Sequence, residues 1–189
     1  MNPARQLALE YITERIEPDS QVLELGAGSS PLAGILTALP CTVLAVDRSA
    51  QALLDAHNGA PIKYRSLVMD LAVTPWFWTD LDAWDYVTAT YVLQHLLEDE
   101  AAAWREIRRV LKPGGKLLCT GRHAEGSPFR ENGRADPLNA QNKMIVAGLG
   151  LASGLHMVDY RTYHYNEHGY WESSSEEANA FCATLEKRC

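Results

Sequence analysis

Val22-Leu23-Glu24-Leu25-Gly26-Ala27-Gly28 decides the fold of this chain. A short apolar run ends in two closely spaced glycines and then gives way to a stretch opened by Pro31. The run suits a buried strand, and proline in a first helical turn lacks only an N–H that would be unpaired there anyway. Gly26 and Gly28 permit a tight turn and a close approach of backbone to a ligand. The helix beyond them offers free N–H groups and a positive dipole end.

The ligand at such a turn is narrowed by its neighbours. A dinucleotide fingerprint places a third glycine at position 31, where Pro31 stands. Glu24 crowds a pyrophosphate but can answer a cationic ligand or the polar groups of an amino-acid moiety. Asp47 closes the next apolar run, Thr42 to Val46, where it can accept both hydroxyls of a ribose.

Outward from this point the pattern alternates between strands and helices. The spacing predicts helices over 4–16, 31–39, 49–57, 98–111 and 138–150, and a final helix from Ser173 to Lys187 with a serine cap and early glutamates. Strands are expected over 21–25, 42–46, 63–69, 85–90, 116–120 and 156–165, with a short one at Tyr170-Trp171. Residues 122–137 read as a polar loop. Short apolar strands alternating with helices indicate a parallel sheet covered on both faces, with its ligand site beyond the carboxyl ends of the strands.

Bulk properties narrow the class. A length of 189 residues suits one domain with one core. The formal charge of −7 opposes phosphate backbones, so nucleic acid is not an expected partner. No apolar run approaches the roughly 18 residues of a membrane span, and no secretory signal is visible at the N-terminus. Cys41, Cys119, Cys182 and Cys189 form no C-x-x-C pair and read as reduced thiols, which together with the missing signal points to the cytoplasm. His164 and His168 have ligand spacing only on a helix, and their stretch reads as strand and turn, so no metal is expected.

Over roughly residues 5–122 the sequence resembles the class I S-adenosylmethionine-dependent methyltransferases. Val22 to Ser30 is similar to the first motif of that family, with Ser30 in place of the usual third glycine. Val46-Asp47-Arg48-Ser49 resembles the acidic motif that binds ribose, and Met69-Asp70-Leu71 the motif that holds adenine. Leu111-Lys112-Pro113-Gly114-Gly115-Lys116-Leu117 matches the turn into the fifth strand. The resemblance implies an α/β, Rossmann-like doubly wound fold, with a mostly parallel seven-stranded sheet and helices on both faces. It implies S-adenosylmethionine as cofactor, held by Glu24, Gly26, Ala27, Gly28, Asp47, Arg48, Asp70, Leu71 and Thr90. Residues 1–122 would form the cofactor core, and 123–189 the acceptor side of a single domain.

At the fourth strand, Ala89-Thr90-Tyr91-Val92 departs from the Asn/Asp-Pro-Pro-aromatic motif of enzymes that methylate DNA bases. The Val92-Leu93-Gln94-His95-Leu96 run is closer to enzymes acting on small molecules. The expected activity is methyl transfer to an O, N or C nucleophile of a small-molecule acceptor. His95 is the candidate base and Tyr91 the second polar group at the reacting centre. Trp76, Arg122, His123 and Arg130 are the candidate acceptor contacts, the arginines suiting a carboxylate or phosphate. The rival readings are a non-catalytic cofactor-binding or partner-dependent subunit and a nicotinamide-dependent oxidoreductase. The C-terminal segment fits the family pattern least, and its expected helix offers a surface for a homodimer or a partner subunit.

Overall fold

The computed structural model describes residues 3–29, 32–59, 64–123, 130–131, 134–135, 140–166, 169–174 and 178–188. The chain runs α1 (Pro3–Thr13), β1 (Ser20–Leu25), α2 (Leu32–Leu36), β2 (Cys41–Asp47), α3 (Ala50–Gly59), β3 (Arg65–Val68) and β4 (Trp84–Thr90). Two short 3-10 turns, Leu93–His95 and Leu97–Asp99, lead into α4 (Glu100–Val110) and β5 (Leu111–His123). There follow β6 (Arg130–Glu131), β7 (Arg134–Ala135), β8 (Ala140–Gln141), α5 (Lys143–Ala152), β9 (His156–Asn166), β10 (Gly169–Glu172) and β11 (Ala180–Glu186).

The main sheet has the order β10-β9-β11-β5-β4-β1-β2-β3. From β3 to β5 all pairings are parallel, whereas β11 runs antiparallel to both β5 and β9. These seven strands make the expected Rossmann-like sheet. Among the described residues, β10 extends its edge and β8 adds a short pairing at the end of β5.

Each face is covered because the central strands β1 and β2 are apolar on both sides. Ala8, Ile12, Leu32, Leu36, Leu53 and Ala56 of α1, α2 and α3 pack on Val22, Val43, Ala45 and Leu118. Trp104, Ile107, Val110 and Val146 of α4 and α5 pack on Leu23, Leu44, Val87, Leu117 and Leu185. Asn142 caps α5, its side chain accepting from the Ile145 N–H at 3.0 Å.

Two expectations are corrected. A final helix is expected over 173–187, but Ala180–Glu186 of that stretch form β11, a strand inserted between β5 and β9. Serine and glutamate favour a helix start locally, but Phe181, Ala183 and Leu185 meet one face of the sheet while the backbone pairs on both edges. A dimerising C-terminal helix is therefore absent from the described residues. The second correction concerns β5, which runs on to His123, so Arg122 and His123 belong to a strand and not to a loop.

Candidate active site

The carboxyl ends of β1, β2 and β4, with the loop after β3, enclose a cavity of about 550 Å³. That lies within the usual range for small-molecule sites, about 300–1,000 Å³. Gly26, Asp47, Arg48, Met69, Asp70, Leu71, Tyr91, Val92, His95 and Leu96 line it.

The glycine loop is defined by backbone geometry. Gly26 (φ +62°) and Gly28 (φ +57°) both occupy the left-handed region. At Gly26 a Cβ would stand 2.5 Å from Val92 Cγ2, so the loop after β4 is packed directly on the glycine turn. Tyr91 is also left-handed, at φ +54°, an uncommon state for a non-glycine residue that costs on the order of 1 kcal/mol. It is held by its own N–H, which donates to the Thr120 carbonyl at 3.0 Å.

Asp47 is fixed before any ligand arrives. One carboxylate oxygen accepts from the Gly28 N–H at 2.8 Å and the other from the Ser49 N–H at 2.8 Å. Each oxygen keeps a lone pair for a ligand hydroxyl. Asp70 accepts from the Ala72 N–H at 3.0 Å in the same way. Two carboxylates in one cavity suit a cationic ligand that also carries donor groups, and the donor set fits the sugar and base of S-adenosylmethionine.

Glu24 stands beneath the loop and is not among the cavity-lining residues. It is 2 % exposed and accepts from the Ala33 N–H at 2.9 Å, with Arg5 Nε 3.8 Å from its other oxygen. Burial pushes its carboxyl up to about 7; Arg5 and the Ala33 N–H pull it back, and Asp47 adds to the rise.

Other sequence-predicted residues fall elsewhere. Ala27 is buried in the turn, and Thr90 is buried at the end of β4, outside the cavity lining. Trp76, expected as an acceptor contact, is a core residue with no exposed surface. Its N–H donates to Glu106 at 2.8 Å, its indole to the Leu71 carbonyl at 3.2 Å, and its ring stacks on Trp78. Arg122 and His123 are buried at the end of β5, where the Arg122 N–H donates to Gln94 at 2.9 Å and His123 meets the Tyr160 hydroxyl at 2.9 Å. Arg130 lies in β6, but its side chain is outside the described residues, as are Ser30, Pro31 and His168.

Val92, Leu96, Met69 and Arg5 are contributors that the sequence reading did not single out. Val92 and Leu96 belong to the run that pointed to the site, and their apolar character could have marked them as wall. Arg5 left no local signal, because the carbonyls it holds lie more than twenty residues away.

A family model described as a methyltransferase domain matches residues 23–119, just over half of the chain. A comparison with curated protein sequences finds no match. Among solved structures, an S-adenosylmethionine-dependent methyltransferase from Mesorhizobium loti is similar, with a TM-score of 0.74, 15% identity and coverage of 98% of each chain. One from Methanosarcina mazei has a TM-score of 0.73 at 14% identity, covering 94% of this chain and 97% of its own. The 1,6-didemethyltoxoflavin-N1-methyltransferase of Burkholderia thailandensis, solved with 1,6-didemethyltoxoflavin and S-adenosylhomocysteine, has a TM-score of 0.72 at 15% identity, covering 98% and 79%. At such identities the likeness speaks to the fold, which is the one described above. The chain belongs to the methyltransferase-domain family, as a class I S-adenosylmethionine-dependent methyltransferase.

Proposed function

We propose that this methyltransferase acts on an O, N or C nucleophile of a small-molecule acceptor. The observation that carries the reading is the cavity bounded by Asp47 and Asp70 at one end and by Tyr91 and His95 at the other. In this reading Asp47 accepts the ribose hydroxyls, while Asp70 and the Leu71 N–H hold the adenine. Gly26 and Arg48 complete the cofactor wall. The cofactor supplies an electrophilic methyl group when bound.

The remaining chemistry is positional. Methyl transfer is a displacement at carbon, so the protein gains most by holding nucleophile and methyl in line. The strained Tyr91 backbone fixes one wall of that alignment. His95 is exposed, on the 3-10 turn at the lip of the cavity, and takes the acceptor proton where the nucleophile is a hydroxyl, or an amine that arrives as its ammonium and must first be deprotonated. Support for a small acceptor comes from the net charge of −7, which disfavours nucleic acid, and from the absence of the base-gripping motif at Ala89–Val92. Among the described residues no helix is long and apolar enough to cross a membrane.

Calorimetric titration with S-adenosylmethionine, S-adenosylhomocysteine and NADH tests the cofactor assignment. Labelled-methyl transfer to a panel of small amines, phenols and carboxylic acids, beside oligonucleotides and peptides, tests the acceptor class. Transfer to a polymer with none to the small molecules would overturn the proposal.

A further inference from the structure

Arg5 occupies a position where a charge needs explaining. On α1 it shares a face with Ala8 and Ile12, at spacings of three and seven residues, and both of those have no exposed surface. Its own side chain is 11% exposed. An apolar residue would close the same helix–sheet joint without the several kcal/mol, in order of magnitude, that burying an ion costs.

Its contacts give the explanation. Arg5 Nη2 donates to the Gly26 carbonyl at 3.2 Å and to the Ala27 carbonyl. The other halves of those two peptide groups are held from the opposite side. The Ala27 N–H donates to the Val46 carbonyl at 3.0 Å, and the Gly28 N–H donates to Asp47 at 2.8 Å. A peptide group is planar, with C=O and N–H pointing opposite ways. Holding each carbonyl from α1 therefore aims each N–H at β2, and the rotation that satisfies Arg5 is the rotation that seats Asp47.

We propose that Arg5 is a positioning residue for the cofactor: it fixes both peptide planes of the glycine loop, with Glu24 as its counter-charge, and so sets Asp47 to receive the ligand. This rests on the cofactor assignment above. The Arg5 Nε to Glu24 distance of 3.8 Å is too long for a hydrogen bond, so Glu24 acts by charge, while the carbonyls supply the geometry. The groups facing Glu24 are Arg5 from α1, the Ala33 N–H from α2, Asp47 from β2 and Tyr64 ahead of β3. Protonating Glu24 leaves the guanidinium buried without its counter-charge and loosens its grip on the loop. Cofactor affinity is then lower on the acid side of neutrality.

The test uses S-adenosylhomocysteine as probe, titrated calorimetrically into wild type, Arg5→Met, Arg5→Lys and Glu24→Gln at pH 6, 7 and 8. Arg5→Met is expected to weaken binding about tenfold at pH 8, as for loss of one charge-assisted hydrogen bond, and Arg5→Lys to recover part of it. Wild type should bind more weakly at pH 6 than at pH 8, and Glu24→Gln should remove that component. The difference between the two isolates Glu24, because every other side chain is the same in both. Hydrogen exchange on the ligand-free proteins supplies a readout independent of the cofactor, with the Ala27 and Gly28 amides exchanging faster in Arg5→Met. Wild-type affinity together with wild-type amide protection in Arg5→Met would overturn the proposal. If Arg5→Met does not fold, Arg5→Lys decides the matter by the same two readouts. If wild type binds no S-adenosylhomocysteine, the cofactor assignment fails and the amide exchange alone decides the role of Arg5.

Discussion

Replacing Gly26 by alanine separates what the backbone of the glycine loop requires from what its packing requires. An L-residue at φ +62° costs roughly 1–2 kcal/mol. The added Cβ would also lie 2.5 Å from Val92 Cγ2 and 2.8 Å from Val92 Cβ, well inside contact distance. Val92 must then move. It cannot move alone, because Tyr91 beside it is held in the left-handed region. Overpacking of this kind costs about 1–3 kcal/mol. Together the two effects bring the fold loss to about 2–5 kcal/mol. Gly114→Ala is the control. It also has a left-handed backbone, at φ +79°, but a Cβ there meets nothing within 4 Å. Denaturant unfolding of both variants should show Gly114→Ala losing only the backbone share. Calorimetry with S-adenosylhomocysteine should show Gly26→Ala weakened at least tenfold, since Gly26, Tyr91 and Val92 all line the cavity, with Gly114→Ala unchanged. Equal stability losses and equal affinities in the two variants would refute the claim that Val92 and the glycine turn form one wall.

Asp47→Ala removes the acceptor of two backbone N–H groups and the proposed ribose contact. It should weaken S-adenosylhomocysteine binding by about 1–3 kcal/mol, read by calorimetry. Glu24→Gln should change the pH dependence of stability with a definite sign. The folded carboxyl stands at about 7, above its ordinary 4.5, so between those values the folded state holds a proton that the unfolded state has lost. Stability therefore falls as pH rises through that window, by up to about 3 kcal/mol, and is level above it. Thermal melts should find Glu24→Gln more stable than wild type at pH 8, with the difference gone by pH 4. His95→Gln, at an exposed position, should leave the melting temperature and S-adenosylhomocysteine affinity unchanged. It should lower kcat by about 10²-fold or more if the imidazole takes the acceptor proton, and an unchanged kcat would remove His95 from the chemistry.

The parts of the site that were legible in the sequence are those whose partners are close in the chain. Gly26, Gly28, Asp47 and Asp70 each follow an apolar run within a few residues, and a parallel sheet brings all strand ends to one rim, so reading the runs locates the rim. Trp76 was misassigned because an aromatic triplet has no period to read. Its burial depends on Glu106, thirty residues on in α4, whereas Phe77 beside it is 91% exposed. The last strand failed for a related reason. Phe181, Ala183 and Leu185 alternate as a strand would, but Ser173 and the glutamates after it mark a helix start, and two flanking strands that begin far upstream decide the conformation. Arg5 was invisible because the carbonyls it holds carry no side-chain signature at all.

The two expected effects of Glu24→Gln point in opposite directions. Removing the charge should stabilise the fold above neutrality, because desolvation is the largest influence on this carboxyl. The same change should loosen the glycine loop, because Arg5 loses the charge that answers it in a nearly dry site. A group retained only for packing would show the first effect without the second. The combination of a higher melting temperature with weaker S-adenosylhomocysteine binding at pH 8 is therefore the signature of a charge kept for the cofactor at the expense of stability. It follows from one carboxylate that touches α1 and α2 from inside the sheet without itself reaching the cavity.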